Sequence, residues 1–499
     1  MSTQAHPSGP AHRRPATHSR PRALAVVIAA LLPLLAAPGA FAASTAALER
    51  RIAELERELD EARAELIETK AESEQAHRKA AAAEEQLAES GPPAADKITI
   101  GPLTIGGAIR ANYILGSYPN GGNGPTRGGN GGTFALDTFR INLDLKYENL
   151  IGKVEYRWYP DPFAAGGSTY AGYSFLHTGW LGWEFDDGSQ VQAGVNRVPF
   201  GPGPYGVSQS WFFDQHYYLG LSDDMDLGIK YITSLGNLDL DLAYYNRSEW
   251  NGQGTSLDST RYSYDIVPWT YAVAPDGTVD FSAPPNGWEE RNQFNLRAIY
   301  KFDDIAVPTQ LGTSLQWGQL KGRRNRDGDH WAASVHMKNE WNNWLLATQL
   351  TRYKVNVHRD NPLNTDELVP MGAWNFGWPA ATDAWIPAVS LSYLWETNRI
   401  PWLDSVRPYL EYSNIMKQND NLNDSELWVL GAAWARGGWY IYTDLAYSNG
   451  NNFVGSENHL GLAEPYTNIY TADGGVGDWG AAGNNKWNYR FNINFGYYF

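Results

Sequence analysis

Between residues 103 and 499 the chain keeps returning to a two-residue hydrophobic period, and the links between the periodic stretches are alternately short and long. The last twelve residues are the clearest case. Tyr489, Phe491, Ile493, Phe495, Tyr497 and Phe499 fall on one face, with Arg490, Asn492, Asn494 and Gly496 on the other. Successive side chains of a strand leave from opposite faces, so one face must meet an apolar medium and the other a polar one. No residue after Phe499 is available to cover the apolar face, whereas lipid would cover it. A tilted strand of about 9–11 residues, apolar outward and polar inward, is the unit of a transmembrane β-barrel.

The same period recurs upstream. Leu103, Ile105, Gly107, Ile109, Ala111 and Tyr113 oppose Thr104, Gly106, Arg110 and Asn112, and Phe139, Ile141, Leu143, Leu145 and Tyr147 alternate with Arg140, Asn142, Asp144, Lys146 and Glu148. Further strands are expected near 150–159, 174–186, 190–196, 226–233, 237–246, 290–302, 309–318, 330–340, 344–356, 386–396, 405–414, 426–436, 439–448 and 488–499. The expected fold is an all-β transmembrane barrel of 16 antiparallel strands, with 18 as the rival count. Short links at Asn149, 187–189, 234–236, 303–308, 342–343, 397–404 and Gly437 suit periplasmic turns. The long ones (116–133, 160–173, 197–225, 247–289, 319–329, 357–385, 415–425 and 449–487) suit outer loops.

Composition agrees. A mean hydropathy of −0.45 with 21 Trp, 29 Tyr and 50 Gly is wrong for membrane helices and ordinary for a barrel, where each lipid-facing residue is matched by a polar lumen-facing one. Zero Cys excludes a disulfide framework and thiolate metal sites. The formal charge of −16 argues against a nucleic-acid partner, which requires a basic footprint.

The N-terminal part reads separately. Arg13, Arg14, Arg20 and Arg22 precede an apolar stretch 23–37 and the small-residue site Ala40-Phe41-Ala42, the form of a signal peptide spanning 1–42. From Leu48 the apolar positions step by four and three (Leu48, Ile52, Leu55, Leu59, Ala62, Leu66), and the flanking positions offer opposite charges between identical parallel helices, as in Arg51 with Glu56 and Glu58 with Arg63. Residues 43–90 are therefore expected to form a periplasmic parallel α-helical coiled coil. A linker (91–97) broken by Pro92 and Pro93 follows, and 98–499 is the barrel. The far end of the coil would meet peptidoglycan or another periplasmic partner.

A barrel of this size leaves an aqueous lumen, so selectivity falls to whatever narrows it. The proline-stiffened, aromatic segment 197–225 is the candidate constriction, with Arg197, Pro199, Phe200, Trp211, Asp214, His216, Asp223 and Asp224 as its marked residues. Inward positions predict a basic lining of Arg110, Arg140, Lys146, Lys153, Arg157, Arg297, Lys301 and Arg490, joined by Lys338 and Arg407. The acids Asp144, Glu148, Glu155, Asp239, Asp241 and Glu411, with Asp444, interleave with them. A basic wall facing an acidic loop would set up a transverse field across the lumen.

The run Val191-Gln-Ala-Gly-Val-Asn-Arg-Val-Pro-Phe-Gly201 resembles the strand-into-loop motif of the phosphate-selective porin O/P family, over about a dozen residues. That resemblance implies a trimeric 16-stranded outer-membrane porin with a signal peptide, a short N-terminal coil and an inward constriction loop. Where the family continues with Leu-Glu, this chain has Pro202-Gly203-Pro204-Tyr205, so the porin role carries over and phosphate specificity does not. A terminal aromatic strand is also similar to the closing strand of outer-membrane proteins, which makes Tyr497 and Phe499 the expected signal to the barrel-assembly machinery. The reading is a passive channel for small hydrophilic solutes or ions, with no enzyme chemistry, cofactor or metal. The alternatives are a carbohydrate-specific porin stacking sugars on Trp211, Phe212, Tyr217, Tyr218, Trp374 and Trp378, and a structural tether to the cell wall. Ser208 or Ser210 near His216 is the one cluster suggestive of hydrolysis, and His330 with His336 has no recognised ligand spacing.

Overall fold

A computed structural model of the chain describes residues 51, 53–55, 57, 97–117, 131–161, 169–270, 272–273, 279–280, 284–303, 305–360, 362–363, 365–420, 422–451, 453–454 and 487–499. The expected signal peptide, most of the coil and all of the linker but Lys97 lie outside the described residues. Of the coil, Arg51, Ala53, Glu54, Leu55 and Arg57 are helical, with Arg51 Nη1 2.6 Å from Glu54 Oε2.

Sixteen strands form the wall: β1 (Leu103–Gly116), β2 (Thr133–Tyr147), β3 (Leu150–Asp161), β4 (Thr169–Glu184), β5 (Gln190–Arg197), β6 (Met225–Leu235), β7 (Leu238–Ser248), β8 (Gly287–Phe302), β9 (Thr309–Arg323), β10 (Gly328–Trp341), β11 (Trp344–Asn356), β12 (Asp383–Tyr393), β13 (Ser405–Lys417), β14 (Ser425–Arg436), β15 (Trp439–Ser448) and β16 (Asn488–Tyr498). Each pairs antiparallel with its sequence neighbours. β16 returns to β1, with Tyr498 opposite Ala108 and Arg490 opposite Gly116, so the sheet is closed. Phe499 extends that seam by exchanging two backbone hydrogen bonds with Gly107. Two short pieces, Ile98–Ile100 and Trp395–Glu396, pair against β1 and β13. The strand count of 16 holds, and each expected strand is present with its ends shifted by a few residues.

The wall is inverted relative to a soluble protein. Ile109, Leu143, Leu181, Ile229, Leu315, Val335, Leu350, Leu410 and Leu430 are exposed on its outside, while Asn112, Asn142, Gln192, Lys230, Gln293, Ser314, Thr351, Ser390 and Asn494 are buried on its inside. Apolar side chains left outward at every second position gain nothing from water, and hydrocarbon is the medium that covers them. Leu350 lies midway along β11 on this face, so Leu350→Lys is expected to destabilise the folded barrel by about 2–4 kcal/mol. Denaturant titration in lipid vesicles measures the loss.

Three outer connections do not stay outside. Residues 198–224, 249–286 and 357–382 contribute buried aromatic and aliphatic side chains, among them Phe212, Tyr217, Tyr264, Trp269, Val369 and Trp378, which join Leu320, Ala332, Tyr353, Val355 and Ile386 of the inner wall in one apolar cluster. The second and third of these were expected as connections without strands. Instead Leu368–Ala373 and Phe376–Ala381 form a hairpin, and Asp265–Ile266 adds to its edge.

Candidate functional site

β5 is only eight residues long because the chain leaves the wall at Arg197 and turns inward. Glycine permits both steps. Gly194 sits at φ 133°, where a Cβ would lie 2.3 Å from the Gly179 carbonyl oxygen; Gly201, at φ 79°, is pressed against Gln349, whose Oε1 a Cβ would meet at 2.9 Å.

Half the circumference of a sixteen-strand barrel is eight strands, and the segment crosses that distance from β5 to β13. Gly201 N donates to Ser314 Oγ on β9 at 3.0 Å, and His216 Nε2 meets Thr351 Oγ1 on β11 at 2.8 Å. Its tip is clamped by Glu411 on β13, which accepts from Ser208 Oγ (2.7 Å), Gln209 N (2.5 Å) and Ser390 Oγ (3.0 Å). Trp211 N donates to Asp444 Oδ2 on β15 at 3.2 Å, and Gln215 N donates to Ser413 Oγ at 3.0 Å. Val198, Phe200 and Phe212 are buried, and Pro199 with them.

The expectation that this segment presents an acidic face is revised, because Asp214 and Asp223 are occupied and Asp224 is drawn into a separate cluster. Asp214 accepts from Val207 N, His216 N and the His216 ring. Asp223 binds Arg197 at 2.7 Å and accepts the Tyr262 hydroxyl. Asp224 belongs to a different cluster, with Asp226, Glu249, Asp265 and Glu290 around Arg261. Burial, then the neighbouring carboxylates, pushes the Asp224 and Glu249 carboxyls well above their usual range. Both nitrogens of His216 are engaged, by Asp214 and Thr351, while Ser208 bonds Ser210 and Glu411. His216 is thus not positioned as a base for either serine.

Opposite the segment stands a basic wall. Arg110 pairs with Asp137 at 2.9 Å; Arg140 and Arg157 share Glu155, and Arg157 lies over the Tyr262 ring at 4.5 Å. Other inward charges are neutralised across strands: Lys153 by Asp144 (3.4 Å), Arg297 by Asp241 (2.6 Å) and Lys301 by Asp239 (2.7 Å). Three expected lining residues lie elsewhere. Lys146 is exposed at the short-turn rim of the barrel, paired with Glu184 at 2.8 Å, and Glu148 occupies the β2–β3 turn at φ 53°. Arg490 is wholly buried, its guanidinium 4.6 Å from the Trp211 ring centre and bonded to Phe453 O and Asn492 Oδ1. Tyr497 points outward against Trp439, with ring centres 5.1 Å apart.

The crossing segment divides the open space of the lumen. A cavity of about 510 Å³ lies between it and the basic wall, lined by Arg110, Asp137, Arg140, Arg157 and Asp223 and by eleven aromatic side chains, including Trp211, Tyr217, Tyr262, Tyr440 and Tyr498. A second cavity, about 370 Å³, is lined by Pro202, Lys338 and the β10–β11 turn residues Asn342 and Asn343. Both are lined by Tyr205, Ser208, Gln209 and Arg407, so they abut there, and Arg407 Nη1 donates to Gln209 Oε1 at 3.1 Å. The interior is not filled.

No family model matches the chain, and no curated protein matches it. Among solved structures it is similar to OmpT of Vibrio cholerae (14% identity over 81% of this chain and 100% of that one, TM-score 0.45). It is also similar to the outer-membrane channel DcaP of Acinetobacter baumannii (11%, 82% and 100%, TM-score 0.46) and to an anion-selective porin from Comamonas acidovorans (10%, 80% and 99%, TM-score 0.42).

Several lining residues escaped the sequence reading. Asp137 precedes the stretch in which the β2 alternation is clean. Tyr440, Tyr442 and Tyr498 face the cavity from strands whose outward positions are equally aromatic, so residue type gave no signal.

Proposed function

We propose that the protein is an outer-membrane porin through which small hydrophilic solutes diffuse passively, with segment 198–224 as the constriction. The observation that carries this is the pair of cavities abutting at Tyr205, Ser208, Gln209 and Arg407 inside a closed, lipid-facing barrel. Four arginines against Asp137 and Asp223 around the larger cavity favour anions. The pairing of Arg110, Arg140 and Arg157 with carboxylates favours a general anion preference over a phosphate-specific ladder. The working form is a homotrimer in the outer membrane with the coil in the periplasm. Tyr497 and Phe499 are read by the assembly machinery. Conductance should survive deletion of residues 43–90, which separates the channel role from a tether.

Reversal potentials in asymmetric potassium chloride and potassium phosphate across a planar bilayer test the reading. A current carried mainly by the anion is expected; absence of conductance from folded trimers overturns it. A second reading, carbohydrate passage, is favoured by the aromatic lining: Trp211, Tyr217, Tyr218 and Trp374 border the cavity, the last three from within the apolar cluster that also holds Phe212 and Trp378. Concentration-dependent block of the current by a maltooligosaccharide would support it.

A further inference from the structure

Outside the solute cavities, three carboxylates from separate parts of the sequence, Asp224, Asp226 and Asp265, bring oxygens within 4.8 Å of one another, and all three are buried. Glu249 and Glu290 complete a group of five acids with one guanidinium, Arg261, among them.

The hydrogen bonding of this group is one-sided. Asp226 Oδ2 accepts from Gln293 Nε2 at 3.0 Å, Asp265 Oδ2 from Arg261 Nη1 at 2.8 Å, and Glu249 Oε1 from Ser263 N at 2.8 Å. In each case the other oxygen (Asp226 Oδ1, Asp265 Oδ1, Glu249 Oε2) is buried without a protein donor, as is Asp224 Oδ1. These residues are at most 4% exposed. A buried carboxylate oxygen requires a partner, and donors that fix one oxygen so that the other points into a shared space are how proteins orient metal ligands. A cavity of about 30 Å³ borders Asp224 and Glu290, and a larger one is lined by Glu290 and Arg261, so open space adjoins the group on two sides.

We propose that Asp224, Asp226 and Asp265, with Glu249 beside them, bind a calcium ion. An all-oxygen, carboxylate-rich set drawn from the end of the crossing segment, the start of β6 and the connection 249–286 suits Ca²⁺, which takes six to eight oxygens in adaptable geometry. The ion ties connection 249–286 to the end of the crossing segment and the start of β6, and so fastens two of the three inward-folded connections to each other.

The test uses the full-length protein in detergent, stripped with a chelator. Calorimetric titration with Ca²⁺ should give one tight site per chain, and Ca²⁺ should raise the midpoint of thermal unfolding by several degrees. The D226N/D265N double variant should lose both effects. Should that variant not fold, Tb³⁺ luminescence excited through the neighbouring Tyr264 in the wild-type protein, displaced by Ca²⁺, reports the same site. No binding to the stripped wild-type protein, or equal binding and equal thermal shift in the folded double variant, overturns the proposal and leaves shared protons as what holds the acids together. None of these readouts depends on conductance, so the site and the channel reading fail separately.

Discussion

Arg407→Glu is expected to turn an anion-preferring channel toward cations. Arg407 stands where the two cavities abut, and its hydrogen bond goes to a neutral partner, Gln209, so changing it strands no buried acid. An ion passing about 5 Å away feels about 0.8 kcal/mol per unit charge even at the dielectric of bulk water. Exchanging a positive for a negative charge then raises an anion's barrier by about 1.6 kcal/mol, on the order of tenfold in rate. The reversal potential in asymmetric potassium chloride should move accordingly, most at low ionic strength. The double change Arg110→Gln with Asp137→Asn, which removes a paired plus and minus, should leave that potential nearly in place.

Glu411→Ala is expected to release the tip of the crossing segment. Three donors, Ser208 Oγ, Gln209 N and Ser390 Oγ, lose their acceptor together. Leaving a buried donor without its acceptor costs about 1–3 kcal/mol, so even allowing for non-additivity the fold should lose on the order of 3 kcal/mol. Single-channel records should show higher mean conductance with added noise and weaker ion selectivity. Glu411→Gln, which keeps one acceptor oxygen, should fall between. Unchanged conductance in a folded Glu411→Ala protein would mean that the segment does not limit flow.

The wall was legible because each strand separates two unlike media, and a period of two records that separation residue by residue. Facing was therefore readable, but depth was not. Lys146 and Glu148 continue the alternation of β2 correctly yet fall at the rim and in the turn, since nothing in the period marks where the lumen ends. The inward hairpin was missed for the opposite reason. Leu368-Val-Pro-Met-Gly-Ala373 is buried on both faces, so it shows no alternation, and Pro370 reads as loop. The crossing of segment 198–224 was signalled by its aromatic and proline content. The occupancy of its acids was not, because Arg197, Tyr262 and Val207 N reach them only after folding.

The seam between β1 and β16 has a consequence for how the molecule comes into being. Asn494 bonds Asn112 across 382 positions, so the final ladder cannot zip until both ends of the wall have been made. Until that moment the growing sheet carries two raw borders of unmet amide and carbonyl groups, each a template for stray pairing with another chain. Contacts this remote in sequence form late and slowly. Nascent copies in an aqueous compartment must therefore be kept apart until the ring is complete, and a crowded or delayed supply should yield aggregates rather than half-rings.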